Sequence, residues 1–361
     1  MTWHHPDSES ALYTEALALY EQSELASAAL LFERLLAVSP GHVEARYKLG
    51  NVRKEQGDWD AATGHYREVL RLDPGHAEAI NNLGAVYQVQ GLLADAERCY
   101  RQAMAHKPEL TQPYANLGRL LQAQERNPEA SAIYARALQL GLEPDLFGHL
   151  QAAVSGATSE RAPQAYVRET FDAFAGDFDR HLVDDLEYRV PWQLAALLRA
   201  RLGEARLDVL DLGCGTGQAG DALGSLARSL VGVDLSSQML EVARRKGRYS
   251  RLHEADISDW LATEKAGSFD LVVAADVFIY LGDLEPVFAG VTRCLRSGGL
   301  VAFSVESCAG ENYRLLTSGR YAQSARYLQR LAARHGLVVL DQAQTMIRLG
   351  VAGELYLLKL T

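Results

Sequence analysis

Acids and glycines at the ends of apolar runs are the residues of this chain best placed to do chemistry. Val209-Leu210-Asp211-Leu212-Gly213-Cys214-Gly215-Thr216-Gly217 carries an apolar strand into an acid, then into glycines at every second position. Without Cβ atoms, such a loop lets backbone come close to a bound ligand. A strand, loop and helix in this order is how doubly wound α/β sheets hold nucleotide-like ligands. Seventeen positions beyond Gly217, the run Val231-Gly232-Val233 ends in Asp234-Leu235. A carboxylate at that strand end can accept both hydroxyls of a ribose. Leu252-His253-Glu254-Ala255-Asp256-Ile257 brings a third acid into a similar setting. Phe269 to Tyr280 reads as one continuous apolar strand, of the kind buried on both faces in parallel sheets. A further strand, Leu300 to Val305, follows the turn Ser297-Gly298-Gly299 and ends at Glu306.

The glycine spacing is G-x-G-x-G, with Gln218 next. A dinucleotide fingerprint reads G-x-G-x-x-G and cradles a pyrophosphate on a helix N-terminus. The difference argues against an NAD-linked dehydrogenase. With the acid Asp211 on the strand itself, the segment resembles the first motif of class I S-adenosylmethionine (SAM) methyltransferases. That resemblance implies SAM as cofactor and a Rossmann-like α/β domain with a seven-stranded sheet, its last strand antiparallel. It places Asp211, Gly213, Gly215 and Gly217 around the methionine part, and Asp234 with Leu235 at the ribose. Met239 falls on the adenine face, and Asp256 with the Ile257 N–H reads the adenine edge. The strand end from Ala274 through Ala275 to Tyr280 faces the sulfonium and the acceptor.

Tyr166 to Leu182 sets aromatics at 171, 174 and 178 on one helix face. In the family a related segment closes over the cofactor, which makes Phe178 the expected contact with the sulfonium, since cations are attracted to aromatic faces. Candidate catalytic groups near the methyl are Tyr280, His181 and Asp276. Each has a plainer role open to it: Tyr280 packing on the lid, His181 capping a helix, Asp276 holding the cofactor's ammonium. The strand end lacks Asn-Pro-Pro-Tyr, which argues against methylation of adenine or glutamine amino groups. Gly319-Arg320-Tyr321 precedes a helix near Ser324, and Arg320 and Tyr321 are expected in the substrate wall.

The first half repeats with a period of 34 residues. Ser39-Pro40-Gly41-His42 returns as Asp73-Pro74-Gly75-His76, and Leu49-Gly50 returns as Leu83-Gly84 and Leu117-Gly118. Ala62, Ala96 and Ala130 keep the register, as do Tyr66, Tyr100 and Tyr134. This resembles the tetratricopeptide repeat, whose period and small and aromatic positions match. Three copies span about 43 to 144, and a capping copy at about 9 to 42 keeps Ala28, Phe32 and Pro40. Each helix pair leaves a face that only stacking covers, so the expected form is an α-solenoid with a concave groove. Asn82, Asn116 and, at the equivalent position, Lys48 are the candidates to line it and bind an extended peptide. The small, polar stretch from Ala152 to Ser159 suggests a linker. The expected organisation is a repeat domain over 1–150, a linker over 151–164 and a methyltransferase domain over 165–361.

The chain has 361 residues and a net charge of −10. Residues 1–160 hold 13 basic and 21 acidic side chains, so the acidic excess belongs to the repeats. That balance argues against nucleic acid and fits a neutral or basic peptide partner. No apolar run reaches the ~18–20 residues a membrane span needs, and the N-terminus lacks the form of a signal peptide. Cys99, Cys214, Cys294 and Cys308 show no C-x-x-C spacing, which reads as reduced thiols of a cytoplasmic protein without a metal site. The leading expectation is a methyltransferase whose repeats recruit a peptide or protein substrate. The alternatives are a small-molecule O-methyltransferase acting on a carboxylate or hydroxyl, with repeats used for association, and a scaffold carrying a relic SAM fold.

Overall fold

A computed structural model describes residues 9–174, 187–203 and 205–361. The chain divides into two compact units, Met1–Gln151 and Ala152–Thr361.

The first unit is made of antiparallel helix pairs: Glu9–Glu21 with Leu25–Val38, Val43–Glu55 with Trp59–Leu72, Ala77–Val89 with Leu93–His106, and Thr111–Ala123 with Asn127–Gln139. Its described residues include no strand. The Pro-Gly-His signature sets helix starts, because His42 and His76 accept the Ala45 and Ala79 N–H groups at 3.2 and 3.3 Å. Tyr66, Tyr100 and Tyr134 are fully buried, as are Ala62, Ala96 and Ala130. Each tyrosine ring lies across a glycine of the partner helix. A Cβ on Gly118 would come within 2.1 Å of the Tyr134 ring, and one on Gly84 within 2.8 Å of Tyr100. Glycine is therefore required for the helices to approach, at the cost of its weak helix propensity.

The second unit is an α/β fold on one mixed sheet. Its strands are β1 (Leu207–Leu212), β2 (Ala227–Asp234), β3 (Arg251–Glu254), β4 (Phe269–Ala274), β5 (Leu295–Ser307), β6 (Tyr313–Leu315), β7 (Tyr321–Gln323), β8 (Leu337–Arg348) and β9 (Val351–Leu360). Strands β3, β2, β1, β4 and β5 are parallel neighbours in that order. β9 joins β5 antiparallel and β8 pairs β9. These seven strands are the expected sheet, with the last strand antiparallel. The hairpin β6–β7 is an addition, attached where Glu306 and Ser307 pair with Ala322 and Gln323. Apolar residues of β1, β2, β4 and β5 pack against helices Ile257–Thr263, Glu285–Cys294 and Ala325–Arg334 on one face and Val190–Leu202 on the other.

Two sequence readings change. Phe269–Tyr280 is not one strand: β4 stops at Ala274, and Asp276 adopts a left-handed φ of +59° that ends extended structure. The segment read as a linker is bonded to the second unit. The Glu160 carbonyl accepts from the N–H groups of Gly282 and Asp283, and the Ala162 N–H donates to the Tyr280 carbonyl at 2.9 Å.

Gly118→Ala tests the close helix approach. The overpacked ring is expected to cost about 1–3 kcal/mol, despite alanine's better helix propensity. A urea midpoint no lower than that of the parent would show that Tyr134 moves aside freely.

Candidate active site

The functional groups meet in a cavity of about 340 Å³ at the C-terminal ends of the parallel strands. Its glycine loop is shaped by backbone bonds to β2. The Gly213 and Cys214 N–H groups donate to the Val233 carbonyl at 2.8 and 3.1 Å. Gly213 has φ +63°, and a Cβ there would meet Val277 at 2.4 Å. At Gly215 a Cβ would meet nothing within 4 Å, so this glycine faces open space in the cavity wall. Gly217, with φ +90°, caps helix Gln218–Leu223 and is not one of the cavity-lining residues.

Asp211 is buried on β1, with 1% of its surface exposed. Tyr249 donates its phenol proton to Asp211 Oδ2 at 2.6 Å. Among the described residues Asp211 Oδ1 has no partner. Burial pushes the Asp211 carboxyl up to about 7. Asp234, at the end of β2, supports the glycine loop: its Oδ2 accepts the Gly215 N–H at 2.8 Å and its Oδ1 the Ser236 N–H at 2.9 Å. Burial also raises its proton affinity, opposed by these backbone donors. Leu235 lines the cavity beside it. Asp256 caps helix Ile257–Thr263, its Oδ1 accepting the Ser258 and Asp259 N–H groups at 2.9 and 3.3 Å, and its Oδ2 pairs with Arg161. Asp256, Ile257 and Ala275 all line the cavity.

Tyr280, Asp276 and Arg320 line the same cavity. Tyr280 packs edge-on against Phe171, with centroids 5.5 Å apart, and burial pushes its phenol up to about 12. Asp276 is held at two points, and the arginine at one of them is itself fixed. Its N–H donates to Ser304 Oγ at 2.8 Å, its Oδ2 accepts from Arg348 Nη1 at 2.7 Å, and Arg348 Nη2 pairs with Glu306 on β5. The Arg348 side chain is only 5% exposed. Arg320 Nη1 lies 3.9 Å from Glu306 Oε1. Burial raises the proton affinity of both Asp276 and Glu306, and the arginines counter it.

Three expectations are corrected: Gly217 caps a helix and does not line the cavity, and neither Met239 nor Tyr321 reaches it. Met239 is fully buried in helix Ser237–Lys246 and does not line the cavity; its backbone N–H donates to the capping Ser236 Oγ at 3.1 Å. Tyr321 is also fully buried, with its hydroxyl 2.5 Å from Ser159 Oγ, packed among Ala153, Ala162, Val167 and Leu315. It supports the wall without forming it. Phe178 and His181 lie outside the described residues. In the first unit, Asn82 Nδ2 donates to Asn51 Oδ1 at 2.9 Å and to the Tyr47 hydroxyl at 3.2 Å, and Asn116 Nδ2 donates to Asn81 Oδ1 at 3.0 Å. Lys48 lies over the rings of Tyr20 and Tyr47. All three remain partly exposed and tie neighbouring repeats together. Sequence reasoning missed Arg348, Arg161 and Tyr249. A charged residue beside the turn Leu349-Gly350, between alternating segments, was the available signal for Arg348.

The residues present fit SAM. Asp211 offers an ammonium a buried carboxylate oxygen that has no partner among the described residues. Gly215 leaves space beside it, and each Asp234 oxygen has one backbone donor and capacity for a ribose hydroxyl. No group of His, Cys, Asp or Glu able to hold a metal occurs among the described residues. Sheet order, glycine loop and strand-end acids together define a class I methyltransferase fold. Residues 210–303 match the methyltransferase domain family, and residues 13–77, 53–109 and 114–141 match tetratricopeptide repeat families. The chain thus joins tetratricopeptide repeats to a methyltransferase domain.

Among relatives, a ubiquinone biosynthesis O-methyltransferase of Xanthomonas oryzae pv. oryzae is 29% identical over 138 residues, covering 37% of this chain and 56% of that protein. A malonyl-[acyl-carrier protein] O-methyltransferase of a Paenibacillus species is 29% identical over 202 residues, covering 53% and 71%. A solved structure of the Burkholderia thailandensis 1,6-didemethyltoxoflavin-N1-methyltransferase, with bound 1,6-didemethyltoxoflavin and S-adenosylhomocysteine, has a TM-score of 0.47 at 19% identity, covering 57% of this chain and 94% of that one. The chain spans about half the length of the curated relatives it first matches.

Arg348→Met leaves the Asp276 and Glu306 carboxylates buried without their cation. Breaking a buried pair from one side is expected to cost about 3–5 kcal/mol. Chemical denaturation measures this, and replacing Asp276 by Asn and Glu306 by Gln in the same chain is expected to recover much of the loss.

Proposed function

We propose that this protein transfers a methyl group from SAM to an acceptor bound in the same cavity. One observation carries the reading: a single cavity joins the glycine loop, Asp211, Asp234 and Asp256 to a separate polar cluster at Asp276. When bound, SAM supplies an electrophilic methyl on a sulfonium. Asp211 holds the ammonium, Asp234 the ribose hydroxyls, and Asp256 with Ile257 borders the adenine. Phe171 and Tyr280 present aromatic surface near the cation, which favours it and excludes water. Enclosure aligns acceptor and methyl, and positioning supplies much of the rate of such a displacement. Both relatives described are named O-methyltransferases, which supports oxygen as the accepting atom.

Binding tests the cofactor assignment. Asp234→Ala removes the ribose acceptor and a support of the Gly215 loop, and is expected to weaken SAM binding at least tenfold by calorimetry, about 1.4 kcal/mol. The Asp211 carboxyl, at about 7, is protonated in the free protein below that pH. An incoming ammonium requires the ionised form, so binding releases a proton and affinity falls as pH drops through 7. Between pH 7.5 and 6 the expected loss is about tenfold. Asp211→Asn is expected to bind weakly with no such slope. A flat profile in the parent would remove Asp211 from the ammonium site.

The repeats support a second part of the reading: they recruit a peptide or protein that is, or carries, the acceptor. The partly exposed Asn82, Asn116 and Lys48 favour it, as does the acidic excess of the first half. Replacing Asn82 and Asn116 by Ala in the full chain is expected to raise KM more than it lowers kcat, since remote contacts bind ground and transition states alike. Unchanged kinetics on the true acceptor would assign the repeats to assembly or support.

A further inference from the structure

Sheet order separates the cavity into two ends. Asp256 follows β3, Asp234 ends β2 and Asp211 lies on β1, so the SAM-binding groups occupy one side of the strand order β3-β2-β1-β4-β5-β7-β6. Asp276 follows β4, Glu306 lies near the end of β5, and Arg320 immediately precedes β7. Arg348 enters from the tip of β8, bonded to both acids. The acceptor end is therefore the Asp276, Tyr280, Arg320 and Arg348 cluster. Two buried atoms in it have no partner among the described residues: Asp276 Oδ1, an acceptor, and Arg348 Nε, a donor.

Resting on the methyltransferase reading above, we propose that the acceptor is an un-ionised hydroxyl, and that Asp276 is its general base through Oδ1. The hydrogen-bonding inventory selects this group. Arg320, Arg348 Nε and the Tyr280 hydroxyl are donors, and Asp276 Oδ1 is an acceptor. A hydroxyl has one proton to give Asp276 and lone pairs to receive the donors. A carboxylate has no proton for Oδ1 and would face it as a like charge. An ammonium has no lone pair and would meet two guanidinium groups.

The cluster is built to hold a base. Arg348 fixes Oδ2, Ser304 fixes the backbone N–H, and Glu306 fixes Arg348, which leaves Oδ1 without a partner among the described residues. The left-handed backbone of Asp276 is strained for a non-glycine residue, and such strain persists where surroundings over-determine it, commonly at functional sites. The charged and titratable groups acting on Asp276 are Arg348 and Arg320, with Glu306, Tyr280 and Tyr188 also interacting with it. In the step, the hydroxyl proton passes to Asp276 Oδ1 as the oxygen bonds the methyl carbon. The carbon–sulfur bond breaks with its electron pair on sulfur. The products are a methyl ether and a neutral thioether, and Asp276 returns its proton to water.

The experiment incubates the full chain with SAM tritiated in the methyl group. Acceptors are a panel of phenols and alcohols, matched carboxylic acids and amines, and a heat-treated cell extract. The expected label is neutral and stable to mild alkali, as an ether is. Asp276→Asn is expected to lower kcat at least about 100-fold, the usual contribution of a general base, while S-adenosylhomocysteine still binds by calorimetry. Tyr280→Phe is expected to lower it less. Label released by alkali as volatile methanol marks an ester and overturns the proposal. So does label retained in basic products, or full activity in Asp276→Asn. Binding of SAM with no transfer to any hydroxyl overturns it too, and leaves the cofactor assignment standing. Failure of the parent to bind SAM overturns the methyltransferase reading itself.

Discussion

A carboxylate withdrawn from water loses its charge unless something in the fold stabilises it, and the second unit places several at the bottom of one cavity. Each is handled differently. Asp256 is offset by two backbone N–H groups and an arginine, Asp234 by two backbone N–H groups. Asp276 relies on a buried arginine that in turn requires Glu306. Among the described residues Asp211 has only a phenol, and it is the one pushed up to about 7. The glycine loop, the helix starts at Ser237 and Ile257, and the β8–β9 hairpin are the devices that supply these compensations. The sheet is the frame that brings them to one end.

The compensation by backbone explains what was legible in sequence. Asp211, Gly213, Gly215, Asp234 and Asp256 stand in short strand-end motifs and are readable locally, although Tyr249 reaches Asp211 across 38 residues and Gly215 reaches Asp234 across 19. Arg348 acts on Asp276 across 72 residues and on Glu306 across 42, and no short motif records such a pairing. Arg161 reaches Asp256 across 95 residues, from a stretch whose small polar composition reads as a linker. The fold was legible because apolar runs and their acidic ends alternate with helical patterns. Its irregularities were not. The run from Phe269 to Tyr280 hides a left-handed residue because hydrophobicity continues past the point where the backbone turns. Met239 and Tyr321 sit in the correct neighbourhoods, but sequence does not say which face of an element meets the cavity.

The repeats show the same division between local and distant. Their period gives helices and turns, and the Gly–Tyr pairs follow from it. The asparagine contacts link one repeat to the next. Asn82 reaches Asn51 and Tyr47, and Asn116 reaches Asn81, at separations of about one repeat. A residue that satisfies part of its hydrogen-bonding capacity this way is held in place before any partner arrives, which lowers the entropy a partner must remove.

The left-handed backbone at Asp276 also bears on how this lineage can change. That conformation admits glycine and asparagine more readily than other residues, and each is a single base change from an aspartate codon. Either replacement relieves or retains the local geometry while deleting the carboxylate. The fold therefore contains a site at which one base change could delete the carboxylate and leave the cofactor-binding groups in place, opposed chiefly by the buried Arg348, which would keep Glu306 as its remaining acidic partner.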